Sequence, residues 1–205
     1  MHANGWSDEL IRGQSVDLRE LSRPDVDEMA RWPRFEEPDL QWANLELTSP
    51  RDRDNWYERG RSNSSRRRFS VIDRHNRVVG TVGLRNIDYH FGEGTLGIIM
   101  SADAVNQGYG TDVITTLVRY AFERMGLRKI YLDVAEDNRR AQRCYEKCGF
   151  TTFGQHNGSD GIAYIDMVIT RDCYRQMEIR ALAADLDNVT TSVSARSSSS
   201  SPRRR

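Results

Sequence analysis

The chain has 205 residues, with 38% hydrophobic residues and thirty basic against thirty acidic residues, for a formal net charge of +0. That length suits one domain with a real core, and the balanced charge excludes a whole-chain electrostatic case for nucleic acid. No run approaches the roughly 18 consecutive apolar residues of a membrane span, and the N-terminus Met1-His2-Ala3-Asn4-Gly5-Trp6 has neither the basic region nor the apolar run of a secretory signal, so a cytoplasmic protein without a membrane partner is expected.

In chain order, residues 1–14 read as an N-terminal extension. Val16 to Leu21 then alternates like a strand, and Ser22-Arg23-Pro24-Asp25 opens a helix that runs to about Trp32, where Pro33 stops it. A loop rich in aromatic and acidic residues follows. Ser49-Pro50 begins a second helix carrying Trp56 and Tyr57, and Phe69 to Asp73 and Val78 to Leu84 form a hairpin across Arg74-His75-Asn76-Arg77. Thr95 to Met100 is an apolar strand. Gly108 to about Met125 has Val113, Leu117, Tyr120 and Ala121 at helical spacing, with Gly126 placed to end it. Lys129 to Val134 is a strand, Asn138 to about Lys147 a helix, Phe150 to Phe153 a weak strand and Ile162 to Ile169 a final one. The order is mixed α/β, with strands before and after each main helix. Residues 181–205, ending in a Ser-rich run and Arg203-Arg204-Arg205, are too polar to bury a core and are expected to be disordered.

Two segments carry chemistry. Asn106-Gln107-Gly108-Tyr109-Gly110-Thr111 leads from a strand into the long helix, where glycines let backbone N–H groups approach an anion. The dinucleotide fingerprint would need a third glycine where Val113 stands, and no GKS or GKT of a P-loop follows. A glycine turn of this kind is often only a turn. The second segment, Asn138 to Phe150, matches the pattern N-x-x-A-x-x-x-Y-x-K-x-G-F at its Asn, Ala, Tyr, Lys, Gly and Phe positions.

Together, in this order and about 30 residues apart, the two segments resemble the GCN5-related N-acetyltransferase (GNAT) superfamily, most nearly the branch of spermidine and ribosomal-protein N-terminal acetyltransferases. The resemblance implies an acetyltransferase domain over residues 15–180, built on a mixed, mostly antiparallel central sheet flanked by helices. It implies acetyl-CoA as co-substrate, with the pyrophosphate on Gln107, Gly108, Tyr109, Gly110 and Thr111. By the same resemblance, Asn138 meets the pantetheine arm or a linked water, and the backbone of Ile98, Ile99 and Met100 holds the thioester carbonyl and pantetheine. One departure is plain: the family turn would place Gln or Arg at Val105 and usually Gly at Asn106.

Transfer to an amine needs a neutral nucleophile, donors for the oxyanion and a proton for the departing thiolate. Deprotonating a lysine-like amine costs roughly 4 to 5 kcal/mol at pH 7, and an α-amine about 1. The resemblance makes Tyr145 the general acid; its bland alternative is a buried helix aromatic. Asn138 doubles as a natural helix N-cap. Glu93, two residues before Thr95 on the same strand face, is the candidate base, with Asp88 and a water chain as alternatives. Trp32, Glu36, Glu37 and Trp42 lie where this branch lines its acceptor side, and carboxylates with indole faces suit a cation; the alternative is a solvated acidic loop packed on core tryptophans. Arg66-Arg67-Arg68 reads either as an anion-attracting run or as a solvent-facing turn. Cys144, Cys148 and Cys173 lack metal-ligand spacing, so reduced thiols and no metal are expected.

The expected activity is therefore acetyl-CoA-dependent N-acetylation of a polyamine-like small molecule or a protein N-terminus, by direct attack in a ternary complex. A catalytically weak CoA-binding regulatory module is the alternative. Nucleic acid is not an expected partner, although the basic tail allows a salt-sensitive ribosome contact; a homodimer is the candidate assembly.

Overall fold

A computed structural model of the chain describes residues 10–197, without the side chains of 38, 39, 42 and 185–197. Two compact units divide it, Met1–Ile169 and Thr170–Arg205.

The first unit is organised by one eight-stranded sheet: β1 (Ile11–Arg12), β2 (Val16–Glu20), β3 (Arg67–Asp73), β4 (Val78–Asp88), β5 (Glu93–Met100), β6 (Lys129–Ala135), β7 (Thr151–Asn157) and β8 (Ala163–Thr170). Their order is β1-β2-β3-β4-β5-β6-β8-β7. Strands β1 to β5 pair antiparallel in succession, as do β7 and β8, and β5 lies parallel to β6. The β3–β4 hairpin turns where expected because Asp73 Oδ1 accepts from the N–H groups of His75 and Arg77, both at 2.9 Å. Asn76 takes the left-handed conformation there at φ 62°, which a short polar side chain tolerates.

Helices α1 (Arg23–Met29) and α2 (Pro50–Gly60) start as their sequences dictate. Each has a serine N-cap, an aspartate three residues on closing a capping box, and a proline in the first turn. Asp25 does more than cap. Its buried carboxylate takes two bonds from Arg19, at 2.6 and 2.8 Å, and one from Ser70 Oγ at 2.6 Å. Burial works to raise its pKa, but these hydrogen bonds outweigh that cost and hold it below the usual carboxylate value. Val26 and Met29 of α1 pack with Leu21, Leu47, Ile72 and Val78.

Helix α3 (Tyr109–Glu123) buries Val113, Ile114, Leu117, Val118, Tyr120 and Ala121, the face that its spacing predicts. Helix α4 (Arg139–Lys147) returns the chain toward β7.

Two regions differ from expectation. The extension is not separate throughout: Ile11 and Arg12 add a strand to the sheet, and Asp112 of α3 accepts from the N–H groups of Gln14, Ser15 and Val16 at 2.6 to 3.0 Å. Residues 1–9 lie outside the described residues. In the second unit, α5 (Arg171–Ser197) runs through 181–197, where polar composition predicts disorder. Ala181-Leu182-Ala183-Ala184 are strong helix formers, and local propensity prevails there. The Ser-rich end and Arg203, Arg204 and Arg205 lie outside the described residues.

Candidate active site

The site begins with a defect in the sheet. Strands β5 and β6 pair over three residues only, Glu93 with Lys129, Gly94 with Ile130 and Thr95 with Tyr131. Beyond Thr95 they part. Backbone groups alternate sides along a strand. The Gly92 carbonyl accepts from Arg128 and Lys129 at the β6 edge, whereas Ser101 N–H donates to Val79 in β4. By that alternation Leu96, Ile98 and Met100 turn their N–H and C=O groups toward the gap, and Ile99 turns its own toward β4. Of the three expected thioester contacts, Ile98 and Met100 therefore offer free backbone and Ile99 does not. The gap frees these groups; β5 stays in continuous register with β4 from Thr95 to Met100.

The glycine turn opens onto the same gap. Gly108 is the N-cap of α3 at φ 80°, with no side-chain cap, so the amides of the first turn are unclaimed by a side chain. A Cβ at Gly108 would meet no atom within 4 Å, and its left-handed backbone suits glycine. Asn106 also lies left-handed at φ 62°. Asparagine tolerates that conformation best among residues with a side chain, which accounts for its standing where the family usually has glycine. Oriented amides at a helix start form an anion cradle that fits a diphosphate.

Ile98, Ile99, Met100, Gly108, Gly110, Thr111, Asn138 and Tyr145 all line one cleft of about 710 Å³, a size suited to a large cofactor-like ligand. Gln107 and Tyr109 do not line it. Gln107 Nε2 donates instead to the Asp103 carbonyl at 2.6 Å, so its side chain braces the turn. Asn138 caps α4, accepting from Ala141 N–H at 3.1 Å, while still facing the cleft. Arg140, Arg143 and Lys147 also line it, basic groups fitting the phosphates of the carrier.

Tyr145 is buried, 8% exposed, with its ring edge-on to Phe150 at 5.9 Å between centroids. Burial raises its pKa above the phenol value, and Cys144 and Asp133 add to the rise, so the hydroxyl stays protonated. Cys144 lines the cleft beside it, with Sγ 3.4 Å from Thr111 Oγ1. Hydrogen bonding from Cys148, with Thr111 and nearby Lys147 and Arg140, lowers the Cys144 pKa. Cys144, Cys148 and Cys173 are free thiols.

The expected base is elsewhere. Glu93 sits in the paired section of β5, where its carboxylate contacts Lys129 Nζ and accepts from the Tyr131 hydroxyl, each at 3.3 Å, and it does not line the cleft. Asp88 is used by the β4–β5 turn, accepting from His90 and Phe91 N–H groups. Nor does the expected acceptor set converge on the cleft. Trp32 packs on the α1 core and donates from Nε1 to the Val78 carbonyl at 2.8 Å. Glu36 and Glu37 are exposed and outside the cleft. Trp42 lies in a short 3₁₀ segment, Pro38–Ala43, and its side chain lies outside the described residues.

Asp133, Arg85, Asp160 and Tyr164 line the cleft instead. Arg85 Nη2 donates to Asp133 Oδ1 at 2.9 Å, and the Tyr164 hydroxyl donates to Asp160 Oδ2 at 2.8 Å. The alternation of β6 carried the signal for Asp133: Leu132 and Val134 are buried, and Asp133 between them faces the other way.

A sheet split between parallel neighbours, an uncapped glycine turn and a tyrosine meet at one cleft suited to a large ligand with an anionic group. The family model described as Acetyltransferase (GNAT) domain matches residues 15–151. The chain belongs to that family of acetyltransferases. It is similar to a spermidine N(1)-acetyltransferase of Vibrio cholerae, 32% identical over 126 residues, 62% of this chain and 67% of that protein. An aminoglycoside N(6')-acetyltransferase type 1 of Klebsiella pneumoniae is 34% identical over 94 residues, 46% of this chain and 42% of that protein. Among solved structures, Vibrio cholerae spermidine N-acetyltransferase in complex with CoA and spermine superposes with a TM-score of 0.67 at 25% identity, covering 78% of this chain and 98% of that one. The mixed, mostly antiparallel sheet with flanking helices is thus the GNAT fold. Among the described residues no helix is long and apolar enough to cross a membrane.

Proposed function

We propose that the chain is an acetyl-CoA-dependent N-acetyltransferase that passes acetyl to a primary amine by direct attack, with both substrates bound. The observation that carries this reading is the convergence on one cleft of the Ile98 and Met100 backbone, the Gly108 helix start and the Tyr145 hydroxyl. The α3 amides, with Arg140, Arg143 and Lys147, would hold the carrier's phosphates. The Ile98 and Met100 groups would orient its pantetheine arm and polarise the thioester carbonyl. A neutral Tyr145 phenol then donates a hydrogen bond to the sulfur as it gains charge.

Asp133 is the carboxylate best placed to receive the amine's proton, because it lines the cleft and its charge is felt at Tyr145. The names of the relatives, spermidine and aminoglycoside acetyltransferases, support a small amine over a protein N-terminus as acceptor. Calorimetry with acetyl-CoA tests the carrier site, and release of CoA with amine acceptors tests transfer. Saturable binding with acceptor-dependent release is expected; a folded protein that takes up no acetyl-CoA would overturn the reading.

A further inference from the structure

Several arginines of the first unit are matched to acids: Arg19 to Asp25, Arg23 to Asp54, Arg53 to Asp27, Arg74 to Asp17, Arg77 to Asp73 and Arg85 to Asp133. Arg66 and Arg68, which line one groove together, are not. Among the described residues neither has a carboxylate partner. Arg66 donates to the Arg59 carbonyl, and Arg68 stacks its guanidinium 4.7 Å above the Trp56 ring. Both are half-buried. Burial, together with the positive charge of Arg66, lowers the Arg68 pKa. Two cations held close with no counter-ion are costly unless something negative joins them.

Their surroundings are shaped to admit such a group. Arg66, Arg67, Arg68 and Arg85 line a groove of about 210 Å³ on the sheet. The register places Arg68 opposite Gly83, and Gly83 opposite Gly97. A Cβ at Gly83 would come within 2.3 Å of the Arg67 carbonyl, and one at Gly97 would project into open space. The floor beside Arg68 is therefore bare backbone. Arg85, Gly97, Ile98 and Ile99 line both this groove and the large cleft, so the groove opens where the thioester would lie.

We propose that this groove is the acceptor subsite for an oxyanion: Arg66 and Arg68 bind a carboxylate or phosphate carried by the acceptor, so the preferred substrate is a small anionic amine and not a polyamine. The proposal rests on the acetyltransferase reading and narrows its acceptor. Planar guanidinium groups pair with either oxyanion through two parallel hydrogen bonds, and Trp56 holds one of them in place. Asp133, on the other side of Arg85, lies where the same molecule's amine would enter the cleft. A polycation would have to pass unmatched arginines to reach it.

The test is acetyl-CoA turnover with matched acceptors: ethanolamine, phosphoethanolamine, β-alanine, 1,3-diaminopropane and spermidine. Expected is a kcat/KM at least about tenfold higher for β-alanine or phosphoethanolamine than for ethanolamine, corresponding to one good charged contact, with spermidine poorer still. The better of the two anions identifies carboxylate or phosphate as the group. Arg66→Gln with Arg68→Gln should erase this preference through KM, and Arg68→Lys should restore part of it. Spermidine, 1,3-diaminopropane or ethanolamine performing as well as the anionic amines, or a preference unmoved in the double variant, would overturn the proposal.

If acetyl-CoA does not bind and no acceptor is turned over, the acetyltransferase reading fails first. The groove is then tested alone by titrating inorganic phosphate into the full chain and following Trp56 fluorescence, with Trp56→Phe as the control. A saturable change lost in both the control and the double variant supports the groove. No change, or a change that persists in the double variant, overturns it.

Discussion

The two walls of the cleft are made differently. On the proposed carrier side most of the working groups are main-chain amides, those of Ile98 and Met100 at the split and those of the first turn behind Gly108, with Arg140, Arg143 and Lys147 beside them. On the proposed acceptor side they are side chains: Asp133, Arg85 and Asp160 in the cleft, and Arg66 and Arg68 in the groove that joins it. A backbone wall recognises what every acyl-CoA has in common and tolerates wide change in sequence. A side-chain wall can reverse its charge in a few substitutions, so closely similar folds can serve acceptors of opposite sign.

The largest expected effect falls where the walls meet. Tyr145→Phe removes the sole atom proposed to assist the leaving sulfur, and kcat should fall about 10²- to 10³-fold with the KM for acetyl-CoA little changed. Steady-state kinetics check this, and a kcat near wild type would detach Tyr145 from the chemistry.

Next comes the backbone wall itself. Gly108→Val forces a β-branched residue into φ 80°, at a cost of about 1–2 kcal/mol. Acetyl-CoA binding should weaken about tenfold by calorimetry, and selectivity among acceptors should hold. A shift in acceptor preference with intact carrier affinity would mean that the division between the walls is false.

The smallest effect concerns the scaffold behind the acceptor side. Because the Asp25 pKa lies below its unfolded value, its contribution to stability is present above about pH 4 and is lost as pH falls through the lower folded value. Asp25→Asn should cost about 2 kcal/mol near neutrality and flatten the acid limb of a plot of melting temperature against pH. Thermal melts across that range read it, and an unchanged limb would remove Asp25 from the account.

What was legible in the sequence follows the same division. The glycine turn and the Asn138 to Phe150 pattern announce the proposed carrier wall because only a few residue types satisfy a left-handed N-cap or a helix-capping position that also lines a cleft. The main strands and helices were readable from alternation and caps. Strand β1 was not, being two residues long, and neither was the gap between β5 and β6, which depends on where two separated strands stop pairing. Glu93 shows the cost. Its residue type suited a base, yet its place in the three-residue paired stretch gives it to Lys129 and Tyr131. Trp32 likewise suits cation binding by type, but its indole N–H is given to the Val78 carbonyl and its ring packs on the α1 core. Asp133 and Arg85 became neighbours through pairing across forty-eight positions of chain, which no local pattern announces.

The short parallel seam also has a mechanical meaning. With three paired residues joining them, β5 and β6 are laced less firmly than β4 and β5, and the sheet can breathe about that line. A carrier lying across both banks would supply the missing rungs. Loading the enzyme would then stiffen the very scaffold that must hold the second substrate steady, favouring an order in which the acyl donor enters first.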